Sequence, residues 1–430
     1  MNEFTHKLNP NPIKISKTIA RNSKTSFATA NLTNLHMNLQ SKCPLIMSPS
    51  SSPVFIPHDL IIEVLSLLPV KSVIRLMCMS KTFHSLVSDP TFVKLHLHRS
   101  ARTQDVSLIS NSEGHDATLN VVSLSHNPSI RFTLPNDPFF QNNYKDCFYI
   151  VGSCNGLLCL GHKVNGNRKK MSLRFWNPAT RTLSYKLRIT GDGRLYNLTF
   201  GYDSSSNTYK LVHFINRKTE VKVLNLGDNV WRNIQNSPSS HYLAMQFVHL
   251  SDSVIWLAVG NFPSPRPYNY ENITIEQFAA ISLDLGTETH TRLSLPQGFI
   301  EVPFVEPHLS VLKDSLCFSH DFKQTHFVIW QMKEFGVAES WTQLFKIKYY
   351  NLQIYNDLQF RWIPLCMSEK SDTLLLTNPN TAILYNWRCN KSESIDKPWR
   401  FRYHYYTESL VSYSLVSYCL QRCRSLDGDC

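Results

Sequence analysis

The sequence predicts an α+β multidomain chain: a small three-helix module followed by an all-β, six-bladed propeller-like domain. Three observations predict it. Apolar residues recur at helical spacing between Leu60 and Val87, and that period disappears from residue 104 onward. Beyond that point, short runs rich in Val, Ile, Phe, Tyr and Trp alternate with turns of Asn, Asp, Gly, Pro and Ser. Those runs recur in a fixed order at intervals of about 50 to 60 residues, the mark of a domain built from repeated multi-strand units.

The chain opens on residues 1–52, rich in Asn, Ser, Thr and Lys, with Lys7, Lys14, Lys17, Arg21, Lys24 and Lys42 against the lone Glu3. Such a segment does not bury enough apolar surface to order itself, so it reads as a disordered basic leader. Its acid-poor, Ser-rich composition is that of an organelle transit peptide, but arginine is scarce and no amphipathic period is sustained, so transit is not expected. An alternative reading takes Met47 as the initiator.

Residues 53–100 read as the helical module. Pro57 and Asp59 suit a first helical turn, Leu60, Ile61, Val64, Leu65 and Leu68 form its apolar stripe, and Pro69 ends it. Val73, Ile74, Met77 and Cys78 repeat the pattern in a second helix. Ser80 offers an N-cap to a third carrying Phe83, Leu86 and Val87, stopped by Asp89-Pro90. Three short helices are too small a unit to stand alone, so the module should lean on a partner.

Residues 101–420 read as the β domain and 421–430 as a tail. One phrase, a polar turn and then an apolar strand, recurs from Asn155, Asp252, Asp314 and Asp372. A second follows at Leu173–Pro178, Val221–Leu226, Phe278–Asp284, Phe327–Trp330 and Ala382–Tyr385, and several copies lead to a further strand holding Trp231, Leu293 or Trp341. Five units fit between residues 148 and 400. Strands at Val106–Ser110, Val121–Leu124 and Ile130–Leu134, with a final run at Glu408–Val416, would supply a sixth by pairing the chain ends. Only 14 glycines are present, few for a propeller, and a two-sheet sandwich is the alternative architecture.

The residues Ile56-Pro57-x-Asp59-Leu60, then Ile62-x-Val64-Leu65-Ser66-x-Leu68-Pro69-Val70-Lys71-Ser72, then Arg75-x-x-Cys78-Met79-Ser80-Lys81-x-Phe83, running on to Phe92, resemble the F-box. More narrowly, they are similar to the F-box of the plant group with a C-terminal F-box-associated domain. The departures, Ile56 for Leu, Met79 for Val and Phe83 for Trp, all keep an apolar side chain. The β domain resembles that associated domain through Gly152-Ser153-Cys154-Asn155-Gly156, Trp176-Asn177-Pro178-Ala179-Thr180-Arg181, Phe200-Gly201-Tyr202-Asp203 and Glu408-Ser409-Leu410-Val411. Read without the resemblance, these phrases are turn chemistry.

The resemblance implies a kelch-like substrate adaptor of an SCF complex, joined by a Skp-type adaptor to a cullin-RING ubiquitin ligase, and a role in protein ubiquitination through protein–protein interaction. By motif position the adaptor-binding residues are Pro57, Leu60, Ile62, Leu65, Leu68, Pro69, Val70, Leu76 and Cys78. Val64, Ile74, Phe83 and Leu86 are assigned to the module's own packing. The competing classes are a stand-alone, lectin-like propeller and a propeller enzyme; an F-box protein that only sequesters its target would have the same sequence.

Composition narrows these classes. Hydrophobic residues make up 42% and charged ones 18%, which suits packed domains, and no apolar stretch approaches a membrane span. Of the formal net charge of +12, much sits in the leader, and the cluster Arg168-Lys169-Lys170 reads as a solvated hairpin loop, so no nucleic-acid partner is expected. Eleven scattered cysteines with no C-x-x-C pair point to a reducing compartment, cytoplasmic or nuclear, with Cys78, Cys159 and Cys317 as small buried hydrophobes. The sequons at Asn31, Asn197, Asn272 and Asn390 follow no secretory segment. No hydrolase, phosphate-loop or zinc motif occurs; His96-x-His98 lacks a third ligand, Gly191-Asp192-Gly193 is a turn, and Cys419, Cys423 and Cys430 read as peripheral thiols. No catalytic residue, cofactor or metal is expected. Target specificity would lie in loops such as Pro263–Tyr270 and Asn351–Phe360.

Overall fold

The structure is a computed structural model that describes residues 56–103, 106–111, 119–124, 149–163, 170–184, 186–190, 197–215, 220–234, 241–260, 268, 270–354, 358–369, 371–378, 380–395, 403–406 and 409–411. The leader, Met47, Ile130–Leu134, Arg168, Lys169, Gly191–Gly193 and the C-terminal cysteines lie outside the described residues. The chain divides into two compact units, residues 1–61 and 62–430. Among the described residues no helix is long and apolar enough to cross a membrane.

Among the described residues four helices come first: α1 (His58–Ser66), α2 (Val70–Met77), α3 (Lys81–Ser88) and α4 (Pro90–Thr103). In residues 56–61 the carbonyl of Pro57 accepts from the Leu60 and Ile61 amides, which starts α1. Ser80 caps α3 as expected, its Oγ accepting from the Phe83 amide at 3.1 Å. The fourth helix corrects the sequence reading. Asp89-Pro90 does end α3, but Asp89 Oδ1 also accepts from the Thr91 and Phe92 amides at 2.8 and 3.2 Å. Aspartate at the N-cap with proline at the first helical position starts a helix as readily as it stops one.

The strands described beyond them pair into antiparallel sheets. Sheet 1 joins β1 (Val106–Asn111) and β2 (Leu119–Leu124) to a strand from the far end of the chain. Sheet 2 holds β3 (Tyr149–Cys154), β4 (Leu157–Lys163), β5 (Lys170–Asn177), β6 (Thr182–Leu183) and β7 (Leu187–Thr190). Sheet 3 holds β8 (Leu198–Asp203), β9 (Thr208–Ile215), β10 (Glu220–Asn225) and β11 (Val230–Ile234). Sheet 4 holds β12 (His241–Leu250), β13 (Ser253–Gly260), β14 (Phe278–Asp284) and β15 (His290–Leu293). Sheet 5 holds β16 (His308–Leu312), β17 (Ser315–Phe322), β18 (His326–Met332) and β19 (Trp341–Lys348). Sheet 6 holds β20 (Ile363–Ser368), β21 (Thr373–Thr377), β22 (Ala382–Asn386) and β23 (Lys391–Ile395). The last strand, β24 (Tyr403–Tyr406), pairs with β1 from Ser107↔Tyr406 to Ser110↔Tyr403. The ends of the β region therefore pair, but through Tyr403–Tyr406; residues 409–411 of the expected final run are not in a strand.

The repeated phrases land on the second and third strands of their sheets. Several second strands are buried nearly throughout: every residue of β13 is buried, and so are all but the ends of β9 and β17. Successive sheets share their apolar cores. Val212 and Phe214 of sheet 3 pack with Trp256 and Ile281 of sheet 4. Leu257 and Leu293 of sheet 4 share a cluster with Leu316 and Phe318 of sheet 5, and Ile329 of sheet 5 shares one with Leu374 and Ile383 of sheet 6. First strands lie side by side, β3 with β8, β12 with β16, β16 with β20, and β24 beside β3.

Candidate docking site

The helical module fills its core from within. Val70, Val73 and Leu76 of α2, Phe83 and Val87 of α3, and Phe92, Val93 and His96 of α4 are buried, with α2 packed on α3 and α3 on α4. His96, one half of the histidine pair, donates from Nε2 to the Leu68 carbonyl at 2.9 Å, and burial pushes its pKa down. Its neighbour His98 is exposed. Arg99 Nη1 reaches Glu63 Oε2 at 2.5 Å and Ser66 Oγ at 2.6 Å, and the guanidinium holds the Glu63 carboxyl below its usual range.

Against this core the nine expected docking residues separate. Pro57, Leu60, Pro69 and Cys78 are exposed, and Ile62 and Leu68 are half-buried. Leu65, Val70 and Leu76 are buried among the module's own helices and present no surface. Conversely, Val64, assigned to packing, is 58% exposed, and Leu67, which the motif leaves open, is 61% exposed beside Leu60 at 54%. Leu60 and Val64 are spaced i, i+4 on α1, and Leu67 follows its last residue. The stripe on α1 is wider than one face, and sequence spacing alone does not say which edge turns inward. Phe83 is buried and Ile74 and Leu86 are half-buried, in line with a packing role. Cys78, expected as a buried hydrophobe, is exposed; Cys159 and Cys317 are buried.

In the β domain the family-like phrases turn out to be joints. Asn177 is fully buried: its Oδ1 accepts from the Ala179 and Thr180 amides at 2.9 and 3.3 Å, the expected turn. Its Nδ2 donates to the carbonyls of Ser409 and Val411 at 2.9 and 2.8 Å, while Ser409 Oγ donates to the Asn155 carbonyl at 2.7 Å. Three phrases far apart in sequence thus meet at one latch. In the fourth, a Cβ on Gly201 would stand 2.7 Å from Leu285 Cδ1 and 3.0 Å from His249 Nδ1, so a side chain there would have to push these two aside. Asp203 accepts from the hydroxyls of Ser205 and Ser206, both at 2.6 Å, and pairs with buried Lys210 at 3.1 Å. Lys210 also meets Glu288 at 3.0 Å and the Leu285 carbonyl, binding sheet 3 to sheet 4. Sequence reading took these phrases as turns and missed the joints, because their partners lie in other sheets.

Burial shifts several titratable groups of the β domain. Burial pushes His213, His249, His290 and His320 down to about 4, and the thiols of Cys154, Cys317 and Cys366 up to about 12. Imidazoles held neutral and thiols held protonated serve packing. Among the described residues no three His, Cys, Asp or Glu side chains gather as a metal site would.

A family model described as an F-box associated beta propeller domain matches residues 106–413, and an F-box domain model matches residues 56–95. The chain is 25% identical over 362 residues to F-box protein CPR1 of Arabidopsis thaliana, covering 77% of this chain and 81% of that one. It is 27% identical over 323 residues to the F-box/kelch-repeat protein At3g23880 of the same plant, covering 70% and 83%. Among solved structures, TolB from Acinetobacter baumannii aligns with a TM-score of 0.37 at 10% identity over 75% of this chain and 71% of that one, a likeness too slight to argue from. A helical module matched as an F-box and a β region matched over most of its length make this chain a plant F-box protein with an F-box associated beta propeller domain.

Proposed function

We propose that this chain recruits target proteins to a cullin-RING ubiquitin ligase of the SCF type, holding a Skp-type adaptor through its helical module and a target through its β domain. The observation that carries the reading is the exposure of the apolar side chains Leu60, Val64 and Leu67 on a module whose core is already filled. Surplus apolar surface of this kind is stabilised by a partner, and Pro57, Pro69, Ile62 and Leu68 extend it. In this reading the six sheets close as a six-bladed propeller, with β24 completing the blade that β1 begins. The chain supplies proximity in place of a catalytic group: a tethered target lysine meets the ubiquitin-charged enzyme at high effective concentration.

Co-expression with a Skp-type adaptor followed by gel filtration tests the reading. The wild-type chain should elute with the adaptor, and Leu67→Asp, folded by circular dichroism, should elute without it. A folded wild-type chain that elutes alone would sink the proposal.

A further inference from the structure

The two most exposed large apolar side chains described in the β domain, Ile300 at 66% and Tyr350 at 73%, flank a single hairpin turn. That turn joins β17 to β18. The Lys323 amide donates to Glu301 Oε1 at 2.9 Å, which sets Ile300 and Glu301 against one side. The Tyr349 amide donates to the Thr325 carbonyl at 3.0 Å, which brings Tyr350 to the other. Three exposed lysines surround the turn. The Lys323 and Lys346 ammonium groups lie 5.5 and 4.3 Å from the centre of the Phe322 ring, and Lys348 is in register with His326 across β18 and β19. Among the described residues none of the three lysines has an ion-pair partner. Of the nearby acids, Glu301 accepts from the turn, Glu306 pairs with Arg361 at 3.0 Å, and Asp321 is buried beneath, its carboxyl kept protonated more readily by burial. His326 is pushed down in pKa, first by burial and then by Lys346 and Lys348.

Three like charges gathered with a single nearby counter-charge, the Glu301 carboxylate on the turn amide, and beside apolar side chains held in water, are complementary to one kind of partner. We propose that this end of sheet 5 is where a recruited target docks, and that the segment it takes is acidic with an apolar side chain next to its carboxylates. The carboxylates meet Lys323, Lys346 and Lys348, and the apolar side chain covers Ile300 or Tyr350. The inference rests on the reading of the β domain as the target-holding half of the protein.

The test uses the full chain with its adaptor and a labelled glutamate–tyrosine copolymer as probe, with polyglutamate and polylysine beside it. The copolymer should bind more tightly than polyglutamate, polylysine should not bind, and affinity should fall as salt rises. The double variant Lys346→Glu/Lys348→Glu should weaken copolymer binding about ten-fold or more, since it turns attraction into repulsion. Ile300→Asp should weaken it as well. Lys333→Glu, an exposed lysine elsewhere in the same sheet, should leave it unchanged. No copolymer binding by the wild type, or equal losses in the double variant and Lys333→Glu, overturns the inference whether or not the adaptor is held. Copolymer binding that passes these tests in a chain that fails to hold the adaptor keeps the surface and removes the ligase reading.

Discussion

Lys210 stands at a buried junction of opposite charge. Its ammonium is buried and answers Asp203, Glu288 and the Leu285 carbonyl together. Lys210→Met would leave the buried Asp203 carboxylate without its cation, which should cost about 3–5 kcal/mol in urea unfolding. A second contrast lies on α1. Leu65 is buried while Val64 is exposed, so Leu65→Ala should destabilise the module by about 2–5 kcal/mol and Val64→Ala by about 0.5 kcal/mol or less. Motif position assigned these two residues the other way round. It registers that both are apolar, but the inward face is chosen by α4, whose His96 and Arg99 grip Leu68, Ser66 and Glu63.

Elements were legible where one strand had to be apolar on both faces. The central strands of sheets 2 to 6 answer to phrases visible in the sequence, because burial between two neighbours leaves no polar alternation to confuse the period. The fourth helix was missed because Asp89-Pro90 signals a stop and a start with the same two residues. The scarcity of glycine, which weighed against a propeller, has a local answer. Of the fourteen non-glycine positions with positive φ among the described residues, seven are Asn155, Asn207, Asn229, Asp252, Asp314, Asp372 and Asn390, residue types that tolerate the left-handed region. The Asn177 latch was hidden because its partners follow it by more than two hundred residues. Asn177→Asp keeps the turn acceptor but removes both donors to the chain end. It should cost about 1–3 kcal/mol and speed hydrogen exchange at the Val411 amide, with β13 unaffected. Equal exchange in both proteins would show that the latch holds nothing.

Across the whole molecule, the buried histidines set a pH window. His213 and His320 are pushed to about 4 and His308 well below its ordinary value, so the folded protein keeps them neutral while the unfolded chain protonates near 6.5. A lowered folded value means that their contribution is complete above about 6.5 and is lost as pH falls toward 4, at up to ~1.4 kcal/mol per unit for each group. Asp321, raised by burial, works in the opposite sense. Urea midpoints should therefore be flat between pH 7 and 8 and fall between pH 6.5 and 4.5; a midpoint constant over that acid range would contradict the neutral, buried imidazoles. The proposed function, in contrast to stability, hangs on the surface that the filled helical core leaves exposed. The most direct test is calorimetric titration of a Skp-type adaptor into the full chain and into Leu60→Asp/Val64→Asp. The account predicts a saturable 1:1 heat for the wild type and none for the variant at unchanged melting temperature. Equal affinity for both, or no heat from a folded wild type, would contradict it.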